Sequence, residues 1–383
     1  IDYNIALKAD GTVYSWGYNE YGQLGTGDNT RKTDPTKIEI DNVVDIACGN
    51  NHTLFLKEDG TVWSTGLNNY GQLGNNTTTN SNKPVQVIGL NNIIRISAGA
   101  NHSIALDSDG TVYSWGYNGY GQLGDTTTTR RSIPVIVRKL TGIKEISAGR
   151  HSSIALDIDG NVYVWGLNTS GQLGLGTKPN VLEATKLPDI SNIVQVESGI
   201  DYNLLVTESG EVYSFGINGS GQLGNGTTTN SNIPVKVKLE DGTDLSNIES
   251  VSAGTKHVIA KTYDGKSYGW GLDSNYQFGD ESVVTKLNPV QIKYNATADA
   301  FTEVLEVDAG DTHSSIVKQD GTVWVTGKNS YGQLGNGTTI ASKSWICISD
   351  VKIKVPDTVV TISEIGGTYQ INPQLNVGFN LLY

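Results

Sequence analysis

The stretch Tyr21-Gly22-Gln23-Leu24-Gly25 recurs along the chain at an almost constant interval. Its glutamine returns at positions 72, 122, 172, 222, 277 and 333, so successive copies are 49, 50, 50, 50, 55 and 56 residues apart. The sixth copy is degraded, because Tyr276-Gln277-Phe278-Gly279 replaces a glycine and the leucine. A fixed period in this range is typical of one supersecondary unit that cannot bury its apolar face alone. Seven such units are predicted.

Each unit contains four short runs with strand character, as the third copy shows. Apolar runs cover residues 93–98 and 102–106, and Asp109-Gly110 separates the second run from residues 111–116. An Asp-Gly pair between two such runs predicts a hairpin with a type I′ turn, in which both central residues have positive φ. A fourth run follows the long loop at residues 134–137. Four short strands per unit without helical periodicity predict an all-β chain, a seven-bladed β-propeller of four-stranded antiparallel blades.

The two ends of the chain differ from the interior. Ile1-Asp2-Tyr3-Asn4 repeats at residues 200–203, so the first unit begins at its second strand. We expect the alternating residues 351–355 to pair beside residues 4–8 and to close the ring with a C-terminal strand. The propeller domain then spans residues 1–355. Residues 356–383 form an extension that resembles the opening of a bacterial immunoglobulin-like domain, as expected for a trimmed piece of a larger protein.

Composition narrows the possible functions. The net charge of −12 disfavours nucleic-acid binding, which needs a basic surface. Two cysteines make no disulfide framework, and Cys48 stands where other units have alanine or serine, so it is predicted to be a small core residue. A membrane-spanning helix needs a run of ~18 apolar residues, and the sequence contains none, so no membrane span is predicted. We expect a monomeric propeller without cofactor or metal.

The five histidines occupy almost the same place in their units. His52, His102, His257 and His313 each follow a glycine by three residues, and His151 is displaced by one. A catalytic or metal site needs unlike residues that converge, whereas these are one residue type spread around a ring. We therefore expect each histidine to hydrogen-bond backbone between neighbouring strands. An enzyme with a lyase-like site in the central channel remains an alternative, and Asp311 beside His313 is the close pair that could serve it.

Three patterns identify a family resemblance. Gly-x-x-His-Ser/Thr, Asp-Gly-x-Val-Tyr-x-Trp-Gly and Asn-x-Tyr-Gly-Gln-Leu-Gly resemble the repeats of the regulator of chromosome condensation family over roughly residues 1–350. The resemblance implies a seven-bladed propeller. It also implies guanine nucleotide exchange on a small GTPase as an alternative function, although the near-constant spacing leaves no room for the wedge that the exchange factor uses. The regular repeats are most similar to secreted bacterial members, which implies a non-enzymatic binding protein that is extracellular or at the cell surface.

One face of the propeller is predicted to carry the binding residues. The Gly-x-x-His loop precedes one hairpin strand and the long loop follows its partner, so both lie at the same end of each blade. Four consecutive units around the ring have tyrosine directly before Gly-Gln, and tyrosine is enriched in protein interfaces. The alternative is that these rings only pack locally. The predicted partner-binding residues are Tyr18, Tyr21, Tyr70, Tyr117, Tyr120 and Tyr331, with Asn50 and Arg150 at the edge.

Overall fold

The computed structural model describes residues 2–8, 10–177, 179–348, 360–364 and 367–371. Every regular element in these ranges is a β-strand. The strands form seven antiparallel sheets, which are the blades of a propeller, and one separate two-stranded hairpin. Six blades have four strands, and the first has three. The all-β, seven-bladed prediction is confirmed.

The strands follow the chain blade by blade. The first blade contains β1 (Tyr3–Leu7), β2 (Val13–Gly17) and β3 (Lys32–Lys37). The second and third blades contain β4 (Val43–Cys48), β5 (His52–Lys57), β6 (Val62–Gly66), β7 (Ser81–Gln86), β8 (Ile93–Ala98), β9 (His102–Asp107), β10 (Val112–Gly116) and β11 (Arg131–Ile136). The fourth and fifth contain β12 (Ile143–Ala148), β13 (Ser152–Asp157), β14 (Val162–Gly166), β15 (Val181–Lys186), β16 (Ile193–Ser198), β17 (Tyr202–Thr207), β18 (Val212–Gly216) and β19 (Ser231–Lys236). The sixth and seventh contain β20 (Ile248–Ala253), β21 (His257–Thr262), β22 (Ser267–Gly271), β23 (Lys286–Gln291), β24 (Val304–Ala309), β25 (His313–Lys318), β26 (Val323–Gly327) and β27 (Ser342–Cys347).

Within each four-stranded blade the strands lie in chain order from the propeller axis outward. The first strands of blades two to seven contact the first strands of their neighbours, which places β4, β8, β12, β16, β20 and β24 around the axis. The second strands are almost entirely buried, and the fourth strands are half-exposed at the rim. Burial therefore decreases from the second strand of each blade to the strand at the rim.

The Asp-Gly pairs do form the predicted hairpins, but the turn type differs. Between β5 and β6 the amide of Gly60 donates to the carbonyl of Lys57 over 2.9 Å, and Gly60 has φ of +73° while Asp59 is not left-handed. The Asp59 side chain accepts the amide of Thr61 over 3.0 Å, which fixes a four-residue connection. The predicted type I′ turn is thus wrong, because aspartate stabilises the turn through its carboxylate and only the glycine needs positive φ.

The hydrophobic cores lie between blades. One of them joins Leu54 and Val62 of the second blade to Trp115 of the third. The same arrangement joins the last blade to the first, where Val323 and Leu334 pack with Trp16. Each apolar face is therefore covered by the next blade, and the packing continues across the junction of blades seven and one.

The degraded sixth repeat keeps its packing through a paired change. Phe278 takes the place of the leucine and is buried. A side chain on Gly269 of β22 would meet the Phe278 ring at 2.5 Å, and other blades have serine or valine at that position. Tyr276 replaces a glycine and keeps the left-handed backbone, with φ of +63°.

Among the described residues, the first blade has no counterpart of the strand that begins the other blades, since β1 corresponds to their second strands. Residues 351–355, which we expect to supply it, lie outside the described residues. Within the predicted extension, β28 (Val360–Glu364) pairs with β29 (Gly367–Ile371) as an antiparallel hairpin. Cys48 is buried and free, as expected for a core residue.

Candidate binding face

One end of the propeller gathers two loops from each of blades two to seven and the long loop of the first blade. In the third blade Gly116 of β10 lies opposite His102 of β9, and the amide of Tyr117 donates to the carbonyl of Asn101 over 2.8 Å. The loop before β9 and the long loop after β10 therefore leave the sheet at the same end. The Asp-Gly turns lie at the other end, where Tyr263 is 57 % exposed. Long loops held on a rigid scaffold are a usual place for binding residues.

An asparagine at the start of the long loop holds the shape of this loop. Asn118 Nδ2 donates to the Asp125 carboxylate and to the backbone carbonyls of Thr127 and Thr129 over 3.0–3.1 Å. Its Oδ1 accepts the amide of Leu123 over 3.0 Å. The corresponding residues in five other blades are Asn19, Asn68, Asn168, Asn218 and Asn329. These asparagines always stand four residues before the motif glutamine. This spacing identifies them in the sequence, but a search restricted to charged or aromatic residues does not find them.

The motif glutamine fixes the residue that precedes Gly-Gln. Gln23, Gln72 and Gln122 each accept, through Oε1, the backbone amide two residues earlier over 2.9–3.0 Å. The backbone of Tyr21, Tyr70 and Tyr120 therefore occupies an equivalent place in each blade. Ser170, Ser220 and Asn275 stand at this place in blades four to six, and they make the same backbone bond.

Three of the predicted tyrosines form a first tyrosine cluster, which consists of Tyr18, Tyr21 and Tyr331 at the junction of blades seven and one. The Tyr18 ring lies 5.1 Å from the Tyr331 ring and 6.3 Å from the Tyr21 ring. Lys328 Nζ lies 5.4 Å from the Tyr331 ring centre and 3.1 Å from Asp2. All three rings are half-buried.

The other three tyrosines join a histidine in a second aromatic cluster, which consists of Tyr70, Tyr117, Tyr120 and His151 on blades two to four. Tyr117 lies at its centre, 4.8 Å from Tyr70, 6.0 Å from Tyr120 and 5.6 Å from His151. Tyr120 and His151 are 5.0 Å apart. The displaced histidine therefore belongs to the face loops, which its offset in the sequence signals. The predicted arc is thus divided into two clusters.

Two arginines lie beside the second aromatic cluster. Arg150 is 50 % exposed, and its Nη1 lies 3.5 Å from the Asp201 carboxylate. Arg130 is exposed and donates to the carbonyl of Asn69, next to Tyr70, over 3.2 Å. Asn50 is half-buried in the corresponding loop of the second blade.

Tyr117, His151 and Tyr18 on this face are neutral near pH 7, because of the shifts in their pKa values. Burial and the neighbouring Tyr120 and Tyr70 phenols raise the pKa of Tyr117. Burial, together with the Arg150 charge, lowers the pKa of His151 to about 4. In the first tyrosine cluster, burial and the Glu20 carboxylate raise the pKa of Tyr18. These three residues therefore offer uncharged rings whose hydroxyl and imidazole groups can donate or accept hydrogen bonds.

The other four histidines stabilise contacts between blades, but not through the predicted partners. His52 Nε2 pairs with the Ser103 hydroxyl of the next blade over 3.0 Å, and His102 pairs with Ser153 over 2.9 Å. His257 makes the same bond to Ser314 over 3.0 Å. The prediction of backbone partners for the histidines is therefore wrong. Tyr3 and Tyr202, which occupy the same slot, are the residues that reach backbone carbonyls.

The pair proposed for an enzymatic alternative is engaged in similar contacts. His313 Nε2 pairs with Asn4 Oδ1 over 2.9 Å, and Asp311 accepts a bond from the Thr255 hydroxyl. Within the described ranges, no three His, Cys, Asp or Glu side chains come together as a metal site would require. Those ranges also contain no helix long and apolar enough to cross a membrane.

Comparison with known proteins agrees with this architecture. Residues 2–247 match the RCC1-like domain family. The chain belongs to the RCC1-repeat family. Residues 248–277 and 304–333 further match the regulator of chromosome condensation (RCC1) repeat, so family matches extend into the last blade.

The relatives are similar over limited segments. The ultraviolet-B receptor UVR8 of Arabidopsis thaliana is 32 % identical over 93 residues, which are 24 % of this chain and 20 % of UVR8. Human protein RCC2 is 44 % identical over 55 residues, which are 14 % of this chain and 10 % of RCC2. These matched segments cover a fifth or less of the length of each curated relative.

Two solved structures share the whole propeller fold. Human WBSCR16 has a TM-score of 0.79 at 24 % identity and covers 88 % of this chain and 94 % of its own. Prp20p of Saccharomyces cerevisiae, described with its binding properties to Gsp1p and histones, has a TM-score of 0.75 at 23 % identity and covers 88 % and 85 %. At this identity the likeness shows the fold.

Proposed function

We propose that this protein is a non-enzymatic binding module that recognises another protein through the face bearing the second aromatic cluster. The observation that carries the proposal is the contact of Tyr117 with Tyr70, Tyr120 and His151, which joins three blades in one aromatic surface. Aromatic side chains supply large contact area at low entropic cost, and binding energy concentrates on tyrosine, tryptophan and arginine.

The charges beside the cluster favour a partner with a hydrogen-bonding or acidic rim. Arg150 and Arg130 lie at its edge, and Arg150 is only loosely paired, at 3.5 Å from Asp201. A half-exposed arginine beside neutral rings can take a carboxylate of a partner without losing a strong internal ion pair. The first tyrosine cluster is a weaker candidate, because Tyr18 already donates to Glu20 over 2.7 Å.

The test compares the two ends of the propeller. A variant with Tyr70→Ala, Tyr117→Ala and Tyr120→Ala removes the second aromatic cluster, and Tyr263→Ala removes an exposed tyrosine at the opposite end. We expect wild type and Tyr263→Ala to capture the same protein from extracts or surface fractions, and the triple variant to bind it at least 100-fold more weakly. Thermal unfolding checks that the triple variant remains folded. Undiminished binding by that variant would refute the proposed face.

We also propose that the protein acts outside the cell or at the cell surface of a bacterium. The regular repeats, and the similarity of residues 356–383 to a bacterial immunoglobulin-like domain, support this location. The complete reading frame tests this location. We expect it to encode a secretion signal or a surface anchor, and a reading frame that encodes neither of them would contradict the proposal. If the captured partner is a small GTPase, a nucleotide-exchange assay decides whether binding also regulates it.

A further inference from the structure

The sixth blade has an aspartate where the other six have the loop asparagine. Asp273 stands four residues before Gln277, and its Oδ1 accepts the amide of Phe278 over 3.2 Å, as the asparagines accept the corresponding amide. The loop is also built in the same way further on, since the amide of Ser282 donates to Asp280 over 3.0 Å. The backbone of the loop is therefore conserved, whereas the donor group of the side chain is lost.

In the other blades, the side-chain nitrogen of the loop asparagine faces oxygen atoms. In the third blade, Asn118 Nδ2 supplies hydrogens to a carboxylate and two backbone carbonyls. Asp273 Oδ2 takes the place of that nitrogen. The Asp273 side chain is 0 % exposed, and Oδ2 has no hydrogen-bond partner in the part of the chain that the structure describes. A buried carboxylate oxygen without a hydrogen-bond donor needs either a proton or a cation.

The charges around Asp273 do not satisfy it as an anion. Lys286 Nζ lies 2.9 Å from Asp280 and 3.9 Å from Asp273 Oδ2, so one lysine faces two carboxylates. The other charged groups nearby have their own contacts: Glu281 accepts from the Ser344 hydroxyl of β27, and Lys343 of β27 lies over the Tyr276 ring.

We propose that Asp273 is held as the neutral carboxylic acid in the folded protein, and that its O–H replaces the asparagine amide as the donor that closes the sixth loop. The loop then carries a pH-sensitive latch that the other six blades lack. The acid supplies one hydrogen where the amide supplies two, and Lys286 satisfies the remaining oxygens of Asp280.

The sign of the pH effect follows from proton binding. Burial, with the Asp280 charge adding to it and Lys286 opposing it, raises the pKa of Asp273 to about 8. When the loop opens, the carboxyl returns to its ordinary pKa of about 4. The closed loop therefore binds the extra proton between these values. The stabilisation is complete below pH 4, is lost as the pH rises towards 8, and changes little above it.

Hydrogen exchange of the loop amides tests the latch. In wild type we expect the opening constant of the amides at 276–284 to rise by up to about tenfold per pH unit between pH 5 and pH 8. In Asp273→Asn the amide restores the two hydrogens, so protection should be high and independent of pH. Carbon NMR of the Asp273 carboxyl should give a midpoint well above 4. A carboxyl that titrates near 4, or a wild-type loop with constant protection, overturns the proposal.

The third blade offers the reciprocal variant. Asn118→Asp places an aspartate beside Asp125 and Arg131, which pair over 2.6 Å and correspond to Asp280 and Lys286. We expect this variant to acquire the pH-dependent opening in the third loop alone. If it does not fold, Asp273→Asn decides the question. Calcium chloride at pH 9 separates a proton from a metal: protection of the sixth loop by calcium in wild type, but not in Asp273→Asn, would mean a cation site and contradict the latch.

Discussion

Single buried side chains make the repeats into one structure. His52 and His102 are fully buried, and burial lowers the pKa of each to about 3. Each is neutral at pH 7 and pairs with a serine of the next blade. A histidine whose pKa is depressed contributes stability that is present above its ordinary pKa of about 6.5 and is lost as the pH falls towards 3. The histidines therefore connect the blades at neutral pH and weaken them in acid.

We expect no histidine of this protein to titrate near its ordinary pKa. NMR of the ring protons between pH 8 and pH 5 should show no midpoint for any of the five, and a midpoint near 6.5 would contradict their described burial. At pH 4.5, each fully buried histidine should lower the free energy of unfolding by on the order of 2 kcal/mol. Burial raises the pKa of Glu197 to about 8 and that of Glu306 to about 7, so these two groups make the protein more stable as the pH falls. Because ring NMR follows the histidines alone, it separates their effect on stability from that of the two glutamates.

The type of residue at each repeated position could be predicted from the sequence, but the hydrogen-bond partner of that residue could not. The tryptophans that align with Trp16 and Trp115 are fully buried, as an aromatic slot in a repeat implies. The histidine partners were not predictable, because Ser103 lies 51 residues from His52 and meets it only through the register between two blades. The repeat period can be read from a single sequence, but the register between the sheets of neighbouring blades cannot.

At the scale of the element, glycines of the long loop determine how closely blades approach. Gly71 has φ of +85°, and a Cβ on it would lie 2.6 Å from the Cα of Ser132 on the outer strand of the next blade. Gly89 has nearly the same φ, +80°, but a Cβ there meets nothing within 4 Å. The two positions therefore separate backbone strain from contact between blades.

We expect Gly89→Ala to cost about 1 kcal/mol of unfolding free energy, which is the strain of a left-handed alanine. Gly71→Ala should cost about 3 kcal/mol or more, because the outer strand of the third blade must also move. Urea denaturation of both variants measures the difference. Equal costs would show that the loop does not fix the spacing of the blades.

Hairpin positions followed from the Asp-Gly pairs, whereas the turn type did not. Both a type I′ turn and the observed connection use aspartate and glycine, and they differ in the φ of Asp59 and in the bond that its carboxylate accepts from the Thr61 amide. The loop asparagine was equally visible in the sequence. Its role depends on oxygens as far along the chain as Thr129, which the spacing alone does not bring together.

At the scale of the molecule, the junction of the last blade with the first resembles the junctions inside the ring. Trp16 Nε1 donates to the carbonyl of Gln333 over 2.9 Å, and Trp115 Nε1 donates to that of Gln72 over 2.8 Å. Lys328 also pairs with Asp2 across the junction. The number of blades followed from counting glutamines. The division of the tyrosines into two clusters did not, because it depends on which neighbouring ring each side chain turns towards.

We expect Trp16→Phe and Trp115→Phe to destabilise the protein equally, by about 2 kcal/mol each, since each removes one buried hydrogen bond and some packing. Denaturant unfolding of the two variants measures this. A much smaller cost for Trp16→Phe would mean that blade one separates from blade seven before the rest unfolds.

The binding face is most directly tested by hydrogen–deuterium exchange of the protein with its captured partner. We predict slower exchange in the face loops that carry Tyr70, Tyr117, Tyr120 and Arg150. The Asp-Gly turns at the opposite end, including the one with Tyr263, should exchange as they do in the free protein. Protection at those turns, with the tyrosine loops unchanged, would contradict the proposed face.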